Sequence, residues 1–515
     1  MEFLSILNDV LGPVMRGPSS SHTAGSYHIG LVVRSLLGED AATAAFKFDP
    51  HGSYAKTYRQ QGVDLAFTAG LLGWPITDVR FPRALNLAPK HGLRLRFWVA
   101  PLDKADHPNT VRMELVSKGG RRLEATAKSV GGGMIALTEL DGWPVLIDGK
   151  SHEVMVLATA RQARPVERIV AADGQLSGKP VRLTRGGKVF LSFKRKTPLD
   201  ADAQAGLSRL DGVHETWEAP LIFYIQKGAP LFLSGAEMIQ KAHHWRCSLG
   251  EIALACEAKL LGLSEKEVVG EVLRRYAIMG DSVRQGLAGR KLGMRLLKPS
   301  AGTVFRSEAR GRLPVGGVHA RAAARALAAL HVSNSMGVVC AAPTGGSAGV
   351  LPGVIVTLVE EKRLDGGRTA LALLAASAVG LLIARRATFA AEVAGCQVEI
   401  GAAGAMAAAA VVEASGGLAG QAADAAAISL QNTMGSVCDL VQGMCEIPCH
   451  TRNAVAASSA FVCADLVLGG YRNPIPLDET IDAAYDSGRM LPAELRCTAR
   501  GGIAMTPSAR SLKRL

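Results

Sequence analysis

The stretch MGSVCDLVQGMCEIPCHTRNA, Met434 to Ala454, sets Cys438, Cys445 and Cys449 within twelve residues of a chain that has nine cysteines in all. Ile447-Pro448 interrupts any helix there, since proline lacks an N–H and restricts the residue before it. The thiols must therefore occupy helix ends and the turn between them rather than one continuous helix face. A disulfide, a zinc site, an iron–sulfur cluster and plain core packing are all compatible with this stretch alone.

Around it the sequence is rich in alanine and helical in pattern. Ser234 followed by Glu237 signals a capping box that opens a helix through EMIQKAHHW. From there Ala-rich segments broken by Gly and Pro clusters run to the end, and the expectation is an all-α domain over 228–515. Its longest apolar run, TALALLAASAVGLLIA (Thr369–Ala384), has sixteen residues and is followed by Arg385 and Arg386. That falls short of the roughly 20 residues a bilayer requires, so it reads as a helix buried in a bundle.

Upstream the pattern changes. HEVMVLATA, RPVERIVAADG, PVRLTRGGKVFLSFKR, ADAQAGLSRLDG and VHETWEAPLIFYI, between His152 and Ile225, read as strand, helix, hairpin turning at Gly186-Gly187, helix and strand. The order β-α-β-β-α-β is the ferredoxin-like pattern, and 146–227 is expected to be such a module. Residues 1–145 mix period-two strands, LRLRFWVA (Leu93–Ala100) and TVRMELVS (Thr110–Ser117), with the helical VDLAFTAGLLG (Val63–Gly73). This is the signature of an α/β domain.

At 515 residues, with 48% hydrophobic and 20% charged residues, the chain is a multidomain globular protein. Its net charge of +13 is scattered over GRKLGMRLLK, FKRKTP and the basic tail. No aromatics interleave with those residues as base-stacking platforms would require, so a nucleic-acid partner is not expected; a basic surface favouring anionic metabolites is. The start, MEFLSILNDVLGPVMRGPSSSH, carries no basic region followed by an apolar core. The expected compartment is the cytoplasm, with no membrane partner. There, cysteines serve as free thiols or metal ligands rather than as a disulfide framework.

Chemistry can sit in three places. MRGPSSSHTAG (Met15–Gly25) places three serines, a histidine and a threonine after a Gly-Pro turn, and hydroxyls beside backbone amides cradle a carboxylate or phosphate. A serine-rich helix cap is the plainer reading. AAPTGGSAGVLPGV (Ala341–Val354) surrounds Thr344 with glycines that let backbone approach a small ligand, and it lacks the Gly-Lys-Ser/Thr of a phosphate loop. A glycine-rich helix junction would look the same. Third, Cys396 of AEVAGCQVEIGAAG joins Cys438 and Cys449 in a C-x41-C-x10-C spacing without the tight pairs of a structural zinc site. Three thiolates around a cluster would leave one metal position open; buried apolar thiols are the alternative.

Taken together, GPSSSHT, CAAPTGGSAGVLPG, GCQVEIGAAGAMAAAA, CDLVQGMCEIPCHTRNA and GGIAMTPS resemble the iron–sulfur-dependent L-serine dehydratases (L-serine ammonia-lyases) over essentially the whole chain. The resemblance implies both family domains in one polypeptide and an ACT-like identity for the middle module. It also implies a [4Fe–4S] cluster on Cys396, Cys438 and Cys449, with Cys445 outside the ligand pattern. Its open iron would act as Lewis acid on the substrate hydroxyl, with pyruvate and ammonia as products. Ser19, Ser20, Ser21, His22, Thr23, Ser53, Thr344, Gly345 and Gly346 fall on substrate-binding positions. The resemblance further suggests a homodimer, with an active site between the first and last domains.

The chain departs from that pattern in GSYAKTYRQQGVDLAF, where Gln61 stands at the position of a histidine that is a candidate base in the family. An amide cannot accept a proton at physiological pH, so His22 or Lys56 is expected to take the role. Arg386 stands where the family has no charge, and suits a substrate with a second carboxylate. Two alternatives to serine deamination follow: the same scaffold acting on a related β-hydroxy or β-substituted amino acid, or a ligand or redox sensor without turnover.

Overall fold

The computed structural model describes residues 3–290 and 292–515. They form two compact units, one of residues 25–225 and one of residues 3–24 with 226–515.

In the first unit, a six-stranded sheet runs in the order Arg94–Val99, Ala41–Phe48, Thr110–Ser117, Arg122–Gly131, Met134–Leu140, Trp143–Ile147. Only the first pair is parallel. The helices Gly25–Leu37 and Val63–Leu71 bury Ile29, Val33 and Phe67 against its inner face, where Phe46 stacks on Phe97 with ring centroids 4.8 Å apart.

A second sheet of the same unit has the order Val213–Ala219, His152–Thr159, Lys188–Arg195, Val181–Arg185, all antiparallel. Alternate residues of its strands face opposite ways. Val154, Val156, Val189 and Leu191 pack under the helices Ala163–Ala171 and Ala201–Arg209, which contribute Val166, Val170 and Leu207. Met155, Phe190 and Trp217 point the other way and join Trp143 and the core of the six-stranded sheet. The hairpin turns at Gly186 and Gly187, both with positive φ, where glycine has no Cβ to clash.

The second unit is helical. Two of its helical stretches, Gly366–Arg386 and Cys396–Ala414, are long and apolar enough to cross a membrane by length and composition. Yet 78% and 89% of their apolar windows are buried within the protein. Small residues also let helices of this unit approach closely: a Cβ on Gly353, in the helix Val350–Lys362, would sit 2.7 Å from the Ala322 carbonyl oxygen of the helix Val318–Asn334. Ser234 caps its helix as expected, its Oγ accepting from Glu237 N at 3.1 Å. The return bond goes instead to Leu233 N, one residue earlier. Complete capping boxes close at Ser248/Glu251 and Ser264/Glu267.

Two features differ from the sequence reading. The helical unit contains short strands, Val338–Cys340, Cys438–Asp439 and Arg496–Thr498. Residues 3–24, assigned above to the α/β domain, fold with the helical unit. Val14–Arg16 pairs antiparallel with Val338–Cys340, in the register Met15 to Val339. The buried Glu257 carboxylate accepts from the N–H groups of Ile6 and Leu7, both at 2.9 Å, and from Ser5 Oγ at 2.6 Å. The Arg275 guanidinium donates to the carbonyls of Leu7 and Leu11. These bonds satisfy polar groups that would be costly to bury alone, and they hold the segment that leads to the serines.

Candidate active site

The serine-rich segment forms a single wide helical turn, Ser20–Ala24, closed by Thr23 N donating to Ser19 O at 2.7 Å. Its hydroxyls divide their work. Ser19 Oγ and Ser21 Oγ lie 3.2 and 3.0 Å from His22 Nδ1 and 3.3 Å from each other. Ser20 Oγ turns the other way and accepts from Gly345 N at 3.4 Å. His22 and Thr23 are buried. A cap needs one hydroxyl; here two hydroxyls fix the orientation of an imidazole and a third docks the turn onto the glycine loop.

That loop needs its glycines. A Cβ on Gly345 would lie 2.9 Å from both Pro18 O and Ser20 N, and one on Gly346 would lie 2.6 Å from Glu399 Oε1. Thr344 Oγ1 bonds to Ser347 Oγ at 2.9 Å and to Glu399 Oε1 at 2.6 Å. Asn453 pins the far side, donating to the carbonyls of Gly346 and Cys449 at 2.9 Å each and accepting from Gly349 N at 3.1 Å.

Glu399 links the loop to the thiols. Its carboxylate and the Sγ atoms of Cys396 and Cys438 lie within 4.8 Å of one another. Burial, above all, pushes the Glu399 carboxyl up to about 7, with Thr344 and Arg452 opposing and Glu392 adding to the rise. Cys438 contacts Cys396 and Cys497, and these contacts together with burial hold its thiol well above the usual range. The Cys445 thiol is raised in the same way, by its contact with Cys449 above all. Cys497, the extra residue of a bulge in the parallel pairing of Cys438–Asp439 with Arg496–Thr498, adopts φ 59°. Arg452 is the cation of the group: it reaches Cys396 Sγ at 3.5 Å and Asp439 Oδ1 at 2.9 Å.

Five thiols, Cys396, Cys438, Cys445, Cys449 and Cys497, thus interact directly or electrostatically, with two carboxyls close by. Thiols so placed resist ionising together in a buried site unless a cation joins them. All nine cysteines are free. The donor set fits a thiolate-ligated metal centre, and a soft, sulfur-rich set with no histidine among its donors suits iron–sulfur chemistry.

The structure brings Ser19, Ser20, Ser21, His22, Thr23, Thr344, Gly345 and Gly346 into one network with Cys396 and Cys438 through Glu399, and with Cys449 through Asn453. Ser53 and Lys56 lie in the α/β unit, on the short helix Ser53–Thr57. Ser53 N donates to Pro108 O at 2.7 Å, and Lys56 is exposed. Gln61, also in that unit, is buried. Arg386 is held by Asp482, with Nε to Oδ1 at 2.9 Å, and Asp478 lies 4.0 Å away. It is an ion-paired residue, which removes the reason to assign it a substrate carboxylate. Sequence reasoning gave no role to Glu399, Arg452, Asn453 or Cys497; the first three stand inside motifs already singled out.

Residues 233–504 match the family described as Serine dehydratase alpha chain. The chain is 35% identical over 284 residues to the probable L-serine dehydratase alpha chain of Bacillus subtilis, covering 55% of this chain and 95% of that protein. It is 44% identical over 188 residues to the probable L-serine dehydratase alpha chain of Latilactobacillus sakei, covering 36% and 90%. It is also 39% identical over 157 residues to the probable L-serine dehydratase beta chain of Bacillus subtilis, covering 30% and 69%.

Proposed function

The chain belongs to the serine dehydratase alpha-chain family, and from that premise we propose that it is an L-serine ammonia-lyase whose Cys396, Cys438 and Cys449 hold a [4Fe–4S] cluster. The observation that carries the reading is the continuous network from Ser20 through Gly345, Thr344 and Glu399 to the thiols of Cys396 and Cys438. It couples a cradle suited to a small amino acid with a set of donors suited to iron.

When bound, the cluster supplies a Lewis acid for the departing hydroxyl. The rest falls to the protein. The N–H group of Gly346 and the hydroxyls of the serine turn orient the substrate carboxylate and ammonium, fixing the Cα–H bond relative to the base, while the Gly345 N–H holds Ser20 Oγ. His22 receives the α-proton on its imidazole, which Ser19 and Ser21 hold in place through Nδ1. Loss of the α-proton and the hydroxyl yields aminoacrylate and water, and hydrolysis of aminoacrylate gives pyruvate and ammonia. Lys56 remains the second candidate for the base; its exposed position makes it the weaker one. Arg452 lowers the cost of gathering negative sulfur in a buried site.

A second reading keeps the site and changes the substrate to a related β-hydroxy or β-substituted amino acid, favoured by Gln61 at the position where a histidine base is expected. The sheet order of residues 152–219, with the first and third strands central, supports an ACT-like, ferredoxin-like module. A cytoplasmic homodimer completes the proposal: the compartment rests on the sequence of the first residues, and the dimer on the resemblance alone.

The test is anaerobic reconstitution with iron and sulfide, followed by assay of serine, threonine, cysteine and 3-hydroxyaspartate for 2-oxo acid and ammonia. Serine turnover by a brown protein supports the first reading. Turnover of a relative but not of serine supports the second. A protein that takes up no iron overturns both.

A further inference from the structure

A cavity of about 1050 Å³ in the helical unit shares no residue with the thiol site. Its wall is apolar, built by Ile239, Leu371 and Leu418. Leu418 is 72% exposed, so its side chain is open to a bound molecule.

The charged residues at its edge are unevenly satisfied. Glu251 Oε2 already accepts from Ser248 N at 2.7 Å, and Glu413 Oε2 from Gly250 N at 3.1 Å. Both carboxylates thus serve backbone amides at the start of the helix Leu249–Leu261. The two cations have no such employment. Arg246 makes no side-chain hydrogen bond or ion pair among the described residues, and Arg368 spends one guanidinium nitrogen on the Ala414 carbonyl at 3.3 Å without meeting a carboxylate. Arg246 also sits at φ 52°, the left-handed cap of the helix Gly235–Trp245, where glycine or asparagine is the usual occupant. The helix Ala419–Gln431 opens onto the same space with Leu418 at its N-cap, a side chain without an oxygen for the first-turn N–H groups.

We propose that this cavity is a second binding site, separate from the thiol site, for a small organic anion that carries its acidic group on an apolar body. The guanidiniums of Arg246 and Arg368 would take the acidic group, and Ile239, Leu371 and Leu418 the body. Arginine forks suit planar or tetrahedral oxyanions, and a few convergent polar groups on an apolar wall are the usual make-up of a small-molecule site.

The probe is 8-anilinonaphthalene-1-sulfonate, titrated into the full-length protein and followed by its fluorescence. Saturable binding at one site per chain is expected. The double variant Arg246→Asn, Arg368→Gln should bind at least ten-fold more weakly with an unchanged circular dichroism spectrum; asparagine tolerates the left-handed backbone at 246. The uncharged parent, N-phenyl-1-naphthylamine, should also bind at least ten-fold more weakly than the sulfonate. Absence of saturable binding, equal affinity in the double variant, or equal affinity for the uncharged parent would each overturn the proposal. None of these readouts depends on iron or on turnover.

Discussion

The Asn453 side-chain amide donates to the Gly346 carbonyl at 2.9 Å, tying the glycine loop to the helix that begins at Cys449. The same amide reaches the Cys449 carbonyl, and its oxygen accepts from Gly349 N, all in fully buried surroundings. Asn453→Ala leaves two buried backbone groups, the Gly346 carbonyl and the Gly349 N–H, without these partners, each costing about 1–3 kcal/mol when unsatisfied. The expected outcome is a urea midpoint lowered by about 2 kcal/mol or more of equivalent stability, together with reduced iron uptake on reconstitution. Asn453→Asp keeps the acceptor for Gly349 but turns a buried carboxylate oxygen toward the Gly346 and Cys449 carbonyls, and should be at least as destabilised as the alanine variant at neutral pH. An alanine variant as stable as the parent would show that the loop does not depend on this bridge.

The five thiols are not equivalent under the proposed ligand set. Cys396→Ser, Cys438→Ser and Cys449→Ser should each abolish the brown chromophore and most of the bound iron after anaerobic reconstitution. Cys445→Ser should retain both. Iron and sulfide analysis beside the visible spectrum decides this without any activity assay. Loss of iron in the Cys445 variant would mean that the ligand assignment is wrong by one position.

Much of this was readable from sequence where the signal was local. Period-two strands, the Gly186-Gly187 turn and the Ser234 cap all depend on neighbours within a few residues, and they fall where the pattern puts them. The strand Val14–Arg16 was not readable: it is three residues long, flanked by Pro13 and Pro18, and its partner lies more than 300 residues away. For the same reason the membership of residues 3–24 in the helical unit was not legible. In the site, the cysteines announced themselves by residue type, whereas Glu399, Arg452 and Asn453 have common side chains whose roles depend on partners brought close only by folding. Cys497 stands apart from the cysteine-rich stretch, and only the bulge beside Asp439 brings it to Cys438.

Arg386 gives a prediction of small effect. Its pair with Asp482 is partly exposed on both sides, 31% and 46%, and such pairs contribute about 0–1 kcal/mol. Arg386→Ala should therefore shift stability by no more than about 1 kcal/mol and leave the relative rates on serine and 3-hydroxyaspartate unchanged. A selective loss of activity on the dicarboxylic substrate would restore a substrate role to this residue.

Glu153 offers a pH test in the α/β unit. Its carboxylate is buried, with Lys194 Nζ 3.6 Å away and Ser151 Oγ at 3.5 Å. Burial, above all, lifts its pKa from 4.5 to about 7; attraction to Lys194 opposes the rise and repulsion from Asp148 adds to it. Below about 4.5 the group is protonated in both folded and unfolded chains, so its contribution to stability is fully present. As the pH rises, the unfolded chain ionises freely while the folded one resists, and that contribution is lost as pH passes through about 7. Glu153→Gln keeps the shape and removes the charge. The variant should gain about 1–3 kcal/mol over the parent at pH 8 and much less at pH 5. Urea unfolding followed by tryptophan fluorescence reports on this unit, because Trp74, Trp98, Trp143 and Trp217, four of the five tryptophans, lie in it. An equal difference at both pH values would mean that Glu153 is already ionised when folded, held by Lys194 rather than neutralised by burial.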